Sequence, residues 1–286
     1  MKRWLARLGA QEDLNFLLTN RIPRLLVTRL MGRLAAIEHP WLVRALLWVW
    51  QLFTKLDLCE AEPGPYRSLQ QVFTRKLRAG MRPIDPRPEV FTSPCDAIVG
   101  EFGGIGRGQL LQAKGMAYPM DDLLRDEALC HALLGGTFVT LRLTSAMYHR
   151  FHAPSDCTIE EVLYHAGDTW NVNPIALARV ERLFCRNERA VLRCRLPDRS
   201  GHFALVPVAA ILVASLRFHW LPDLFNQHWR GRQRVPCAHE ATKGEELGWF
   251  EHGSTIIVLV PPGFRPVDEL AVGRQIRMGQ PLLTTS

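Results

Sequence analysis

The feature that most limits how this chain can fold is a six-residue run at 255–260, Thr-Ile-Ile-Val-Leu-Val, with no polar break after its threonine. It is far shorter than the roughly 20 residues a membrane-spanning helix needs, it is rich in β-branched side chains, and it does not alternate. Such a run reads as a strand buried on both faces, woven into the interior of a sheet. Its surroundings agree. After Pro94 the sequence breaks into further strand-length runs at 97–99, 109–113, 137–143, 157–164, 190–196, 203–216 and 274–278, interrupted by helical patches at 120–134 and 174–184.

The first part of the chain has a different texture. Leu14, Leu17, Leu18, Ile22, Leu25, Leu26, Leu30 and Leu34 recur at helical spacing with Arg21, Arg24, Arg29 and Arg33 between them, and Pro23 divides the stretch into two helical pieces. A second helical stretch follows Pro40 and carries Trp41, Trp48 and Trp50. Residues 59–94 are rich in proline around a short helix at 69–77. The expected fold class is α+β: a helical arm, residues 1–58, followed by a strand-rich catalytic domain, residues 59–286.

Charge separates the same two parts. The 286 residues carry a net +7, and residues 1–58 hold nine basic against four acidic side chains, so +5 of the excess sits on the arm. A nucleic-acid groove would need basic residues across the body, so nucleic acid is not an expected partner. An arm with interleaved arginines and tryptophans fits an anionic membrane surface, against the commoner role of helices that merely pack on a core. No secretory signal and no run of spanning length is visible, so the expectation is peripheral attachment to the cytoplasmic side of a cell membrane. The seven cysteines form no CxxC pair and are odd in number, which favours reduced, mostly buried thiols over disulfides or a structural zinc; no metal is expected.

Three places carry residues suited to chemistry. His149 and His152 lie in Tyr-His-Arg-Phe-His-Ala-Pro, expected as a fixed loop after a strand. They lack the third ligand or HExxH pattern a metal site requires, and suit an acid/base pair. His252-Gly253-Ser254-Thr255 runs straight into the buried strand. A Gly-Ser there is usually a turn, but glycine also leaves its carbonyl open to attack by the following hydroxyl, the start of an N→O acyl shift. Asp96 opens an apolar strand; alone it reads as a turn residue, and with His and Ser it completes a triad.

Together these segments resemble the phosphatidylserine decarboxylase family, in its proteobacterial form, over nearly the full length. The matching segments are Phe73-Thr74-Arg75-Lys76-Leu77-Arg78, Arg82-Pro83-Ile84, Leu111-Gln112-Ala113-Lys114-Gly115, Gly136-Thr137-Phe138-Val139-Thr140, Tyr148-His149-Arg150, Phe184-Cys185-Arg186-Asn187-Glu188-Arg189, Lys243-Gly244-Glu245-Glu246-Leu247-Gly248 and Gly253-Ser254-Thr255.

The resemblance implies an enzyme that makes its own cofactor. Ser254 would attack the Gly253 carbonyl, cutting the precursor into a β chain of residues 1–253 and an α chain of residues 254–286 whose first residue becomes a covalent pyruvoyl group. It implies that Asp96, His152 and Ser254 form the self-cleavage triad and that His149 is the proton donor in decarboxylation. The pyruvoyl group derived from Ser254 would form a Schiff base with phosphatidylserine, take up the electrons left by departing CO2, and release phosphatidylethanolamine. The implied partners are phosphatidylserine, the membrane surface, and the α and β chains of one precursor; whether copies associate into a homo-oligomer stays open. Lys114, Arg186 and Arg189 are candidates for the phosphate headgroup. The chain departs from the family pattern at His252, where leucine is usual, and at Cys95 and Ala97, which flank Asp96 in place of Ala and Gly. It departs again at 144–147, where Thr-Ser-Ala-Met replaces Ser-Pro-Arg-Asp. These departures motivate an alternative, a processing-deficient member acting as a lipid-surface binding protein.

Overall fold

The structure, a computed structural model, describes residues 11–197, 201–211, 215–222, 225, 229, 231–251 and 254–285. The arm forms helices α1 (Glu12–Asn20), α2 (Arg24–Ala36) and α3 (Pro40–Phe53). Pro23 separates the first two, and Pro40 starts the third, where its missing N–H costs no hydrogen bond. The arm is bonded to the body: Asn171 N donates to Asn20 Oδ1 at 3.0 Å, Asn173 Nδ2 donates to Asn15 Oδ1 at 3.0 Å, and Arg24 pairs with Asp168 at 2.5 Å. Its outer surface leaves Leu26, Leu30, Trp41 and Trp48 more than half exposed. Among the described residues no helix is long and apolar enough to cross a membrane.

The body contains α4 (Leu69–Phe73), β1 (Val90–Thr92), β2 (Ala97–Gly104), β3 (Gln109–Ala113), β4 (Met116–Pro119), α5 (Met120–Leu124), α6 (Glu127–Leu133), β5 (Thr137–Arg142), β6 (Arg150–His152) and β7 (Cys157–His165). It continues with α7 (Pro174–Leu177), α8 (Leu183–Arg186), β8 (Arg189–Arg195), β9 (His202–Ala209), β10 (Leu216–Phe218), β11 (Arg234–Ala241), β12 (Glu246–Phe250), β13 (Ser254–Val260), β14 (Phe264–Pro266), β15 (Gln275–Ile276) and β16 (Pro281–Thr285). The α+β class expected from the sequence is the class observed.

Eight strands make the main sheet in the order β11-β7-β8-β9-β13-β5-β2-β15, with antiparallel ladders throughout. The unbroken run at 255–260 is its central strand β13, hydrogen-bonded to β9 on one side and β5 on the other. Ile256, Val258 and Val260 point to one core, together with Phe151, Phe218 and Phe250 of a three-stranded sheet, β10-β12-β6. Ile257 and Leu259 point to the other, under α5 to α8, with Leu123, Leu129, Leu177 and Phe184. Both faces are covered, so no position on this strand can be polar without a partner.

Several expected boundaries move, for identifiable reasons. The helix expected at 69–77 ends at Phe73, because the following residues turn to bridge Leu77 with Ala61 and to bond Glu62 N to the Lys76 carbonyl. The patch at 120–134 divides where Arg125 takes a left-handed φ of 51° and the Asp126 side chain caps a new helix by accepting from Leu129 N. The patch at 174–184 likewise gives two four-residue helices. The run at 203–216 is not one strand: β9 ends at Ala209, and Leu216 begins β10 in the other sheet. Both pieces are buried, and burial alone does not reveal a change of layer. Of the run at 274–278 only Gln275–Ile276 pairs in the sheet.

Candidate active site

His152 ends strand β6, where a loop was expected, whereas His149 lies in the loop just before that strand, as expected. Strand β6 pairs antiparallel with β12, and Phe250 N donates to the His149 carbonyl at 3.0 Å. Strand β12 therefore delivers the chain from the histidines to the start of β13. Its last turn is anchored at Glu251, which accepts from Gln70 of α4 and from Arg217 Nε of β10 at 3.1 Å. His252 and Gly253 lie outside the described residues, as does the side chain of Ser254. The Ser254 backbone opens β13 opposite Ala209, and the buried Thr255 lies opposite both Arg142 and Val208.

His152 is buried, and its ring has two partners: Nδ1 lies 3.0 Å from the Gly244 carbonyl and Nε2 lies 3.0 Å from the Tyr148 hydroxyl. A carbonyl only accepts, so Nδ1 carries the hydrogen and Nε2 keeps a lone pair that accepts from the phenol. Gly244 presents that carbonyl from a left-handed turn, φ 84°, a conformation glycine adopts without strain. Burial pulls the His152 pKa below its ordinary value, against the Gly244 hydrogen bond and the charges of Glu246 and Asp96. The imidazole is thus neutral at neutral pH, with its basic nitrogen at Nε2.

Asp96 sits at the start of β2, buried, and is clamped by Arg82: Nε to Oδ1 at 2.8 Å and Nη2 to Oδ2 at 2.5 Å. Met278 N adds a third hydrogen bond at 2.9 Å. Burial weighs against the Arg82 charge, but Asp96 and Glu60 together hold its proton more firmly than usual. The structure brings Asp96 and His152 close in the fold, since His152 N bonds to the Pro94 carbonyl, yet their side chains are not hydrogen-bonded to each other. Here Gly244 orients the ring and Asp96 acts on it through space.

His149 is fully buried, with Nδ1 donating to the Met147 carbonyl at 2.8 Å. The Phe73 ring packs on its imidazole at 4.0 Å, and Trp50 of arm helix α3 stacks on Phe73 at 5.7 Å, 17° between planes. Arg75 holds the turn before His149 through the Ala146 carbonyl. Arg150, next in sequence, pairs with Glu246 at 2.5 Å and donates to the Thr74 carbonyl. Burial opposes ionisation of Glu246, but Arg150 and His219 keep its pKa below normal.

The sequence reading assigned no roles to Arg82, Tyr148, Phe73, Gly244 or Glu246. Each lies in a motif quoted for the family resemblance, but the pairs they form are separated by up to 96 residues, as Arg150 and Glu246 are. Among the headgroup candidates, Arg189 is excluded: it is buried, and its donors are spent on the carbonyls of Asp122, Leu123, Cys185 and Asn187. Lys114 turns the β3–β4 hairpin with φ 48°, and Arg186 ends α8 on the surface. Cysteines 95, 157 and 194 are buried and Cys59 is exposed; all seven are free thiols.

Comparison with known proteins shows the family. Residues 69–284 match the family model described as phosphatidylserine decarboxylase. A phosphatidylserine decarboxylase proenzyme of Vibrio cholerae is 37% identical over 275 residues, covering 91% of this chain and 94% of that protein. The proenzyme of Azotobacter vinelandii is 35% identical over 280 residues, 94% and 97% of the two chains, and that of Bordetella petrii 37% over 272 residues, 90% and 92%.

Proposed function

The chain belongs to the phosphatidylserine decarboxylase family, and from that premise we propose that it is a self-cleaving, pyruvoyl-dependent enzyme converting phosphatidylserine to phosphatidylethanolamine and CO2. One observation carries the reading. A buried, neutral imidazole, His152, lies on a strand bonded to β12, the strand that leads directly to the Gly253–Ser254 peptide. That is what a serine hydroxyl, a weak nucleophile at its own pKa, needs beside it.

In the proposed processing step the Ser254 hydroxyl adds to the Gly253 carbonyl as its proton passes to His152 Nε2, and the C–N bond breaks to leave an ester. Elimination then releases the Gly253 carboxylate, and hydrolysis of the remaining dehydroalanine expels ammonia and leaves the pyruvoyl end. Tyr148 occupies Nε2 in the resting arrangement and must yield it, while Asp96, held by Arg82, stabilises the imidazolium that forms.

The fold suits a group at the head of β13. Pairing of Ser254 with Ala209, and of Thr255 with Arg142 and Val208, would keep the new N-terminus in place after the cut. The α chain of 33 residues, 254–286, is too small to fold alone, so sheet pairing holds the two chains as one particle. When present, the pyruvoyl group supplies an electron sink for the pair left by CO2. His149, dry and fixed by Met147 and Phe73, returns a proton to the substrate carbon. The basic arm with its exposed Leu and Trp side chains supports attachment to the cytoplasmic face of an anionic membrane.

Intact-mass analysis of the purified protein tests this reading: two fragments divided after Gly253, the smaller with a blocked N-terminus, are expected. Ser254→Ala should abolish both cleavage and CO2 release, and His149→Ala should spare cleavage and suppress CO2 release. A single uncut chain that binds anionic vesicles would favour the processing-deficient alternative, which the absence of an Asp96–His152 hydrogen bond motivates.

A further inference from the structure

One cation near the proposed cut has no counter-ion among the described residues. Arg142, the last residue of β5, is half-buried and makes no hydrogen bond or ion pair among the described residues. Its pKa is pulled down by burial, with no carboxylate among the described residues opposing the shift. A guanidinium normally pairs in such a position, because a partly desolvated charge without a partner costs several kcal/mol, on the order of a buried hydrogen bond or more.

The polar groups that share its face are hydroxyls. Arg142 stands directly opposite Thr255 in the β5–β13 ladder, so the two side chains share a face, and Thr140 lies two residues back on that same face. The hydroxyls of Thr140 and Thr255 are both buried and unbonded among the described residues. The neighbouring strand contributes Gly100, whose missing Cβ lets the two strands approach closely at Thr140. A guanidinium and two idle hydroxyls on one patch form an anion site, one residue along the strand from Ser254.

We propose that Arg142, with Thr140 and Thr255, binds the phosphodiester of the lipid substrate. The assignment rests on the decarboxylase reading for what the lipid is. Two arguments favour the phosphate over the substrate's carboxylate. The carboxylate loses its charge as CO2 departs, so a guanidinium on it would stabilise the ground state more than the transition state, whereas the phosphate charge is constant throughout. The phosphate also lies between the serine head and the acyl chains. Arg142 stands opposite the residue after Ser254, and Ser145, three residues beyond Arg142, accepts from Trp50 Nε1 of the arm at 3.4 Å.

The test uses the Ser254→Ala protein, which cannot turn over, and dihexanoyl lipids below their micelle concentration. Adding Arg142→Gln should weaken binding of dihexanoyl phosphatidylserine and of dihexanoyl phosphatidylethanolamine alike, each about 10- to 100-fold, the range of a charge-assisted hydrogen bond. Arg142→Lys, which keeps the charge and loses the fork, should show a smaller loss on both, and it stands in if the Gln variant does not fold. A loss confined to phosphatidylserine would move Arg142 to the carboxylate and overturn the assignment, as would unchanged affinity for both lipids. The decarboxylase reading is tested separately on protein that retains Ser254. If that protein neither cleaves nor releases CO2 while Arg142-dependent binding persists, the reading fails and the anion site stands.

Discussion

Glu188 offers a quantitative test of how burial acts in this fold. It is fully buried just before β8, its backbone bonds to Asp168 and Ala209, and neither carboxyl oxygen makes a hydrogen bond among the described residues. The Tyr164 hydroxyl is nearby, outside hydrogen-bonding geometry, and favours the ionised form without overcoming burial. Burial pushes the Glu188 pKa from 4.5 up to about 8. Between those values the unfolded chain has released the proton and the folded chain keeps it, so stability falls by about 1.4 kcal/mol per pH unit as pH rises. Below the unfolded value the penalty is absent, and above the folded value it is complete. At pH 7 the penalty is on the order of 3 kcal/mol. Glu188→Gln, similar in shape and uncharged at any pH, removes it. Urea unfolding should be followed at pH 5.5, 7 and 8 in the Ser254→Ala background, where one uncut chain unfolds. The gap between the two proteins should widen by about 3 kcal/mol in favour of the Gln variant from pH 5.5 to 8. Other titrating groups are common to both proteins and cancel. Parallel pH profiles, or a Gln variant less stable at pH 8, would refute the reasoning.

Further outcomes follow from the site. Arg82→Gln leaves the buried Asp96 carboxylate without its clamp and should destabilise the fold by about 3–5 kcal/mol, measured as a lower urea midpoint, with slower appearance of cleaved chains on gels. Because burial holds the His152 pKa below 6.5, the self-cleavage rate of freshly synthesised precursor should stay level as pH falls through 6.5 and decline only below it. A midpoint at or above 6.5 would contradict His152 as the base. Tyr148→Phe removes the phenol from Nε2 and should leave self-cleavage intact or faster, scored by fragment mass against time; a complete block would make the phenol an obligatory participant. Phe73→Ala removes the ring that packs on His149 and should lower CO2 release about tenfold or more while fragment masses stay unchanged, the range for a displaced acid/base group.

Much of the architecture could be seen along the chain because it depends on local pattern. The arm broke at Pro23 and restarted at Pro40 as those residues require, and the unbroken run at 255–260 became the central strand because only a doubly covered position tolerates it. The residues of the site were likewise visible as types and motifs. What the chain alone could not show was pairing. Arg82 on Asp96, Gly244 on His152 and Glu246 on Arg150 join residues 14, 92 and 96 positions apart, and no periodicity encodes such distances. The same holds for the run at 203–216, whose two strands are both buried although they belong to two sheets. The sequence by itself determined an α+β chain with a basic helical arm and the chemical groups a decarboxylase of this family needs. Only the tertiary structure decided which partner each group meets: a carbonyl orienting His152, a guanidinium clamping Asp96, and, among the described residues, no counter-ion for Arg142. Hydrogen bonds and ion pairs act over about 3 Å, and only folding brings distant segments that close.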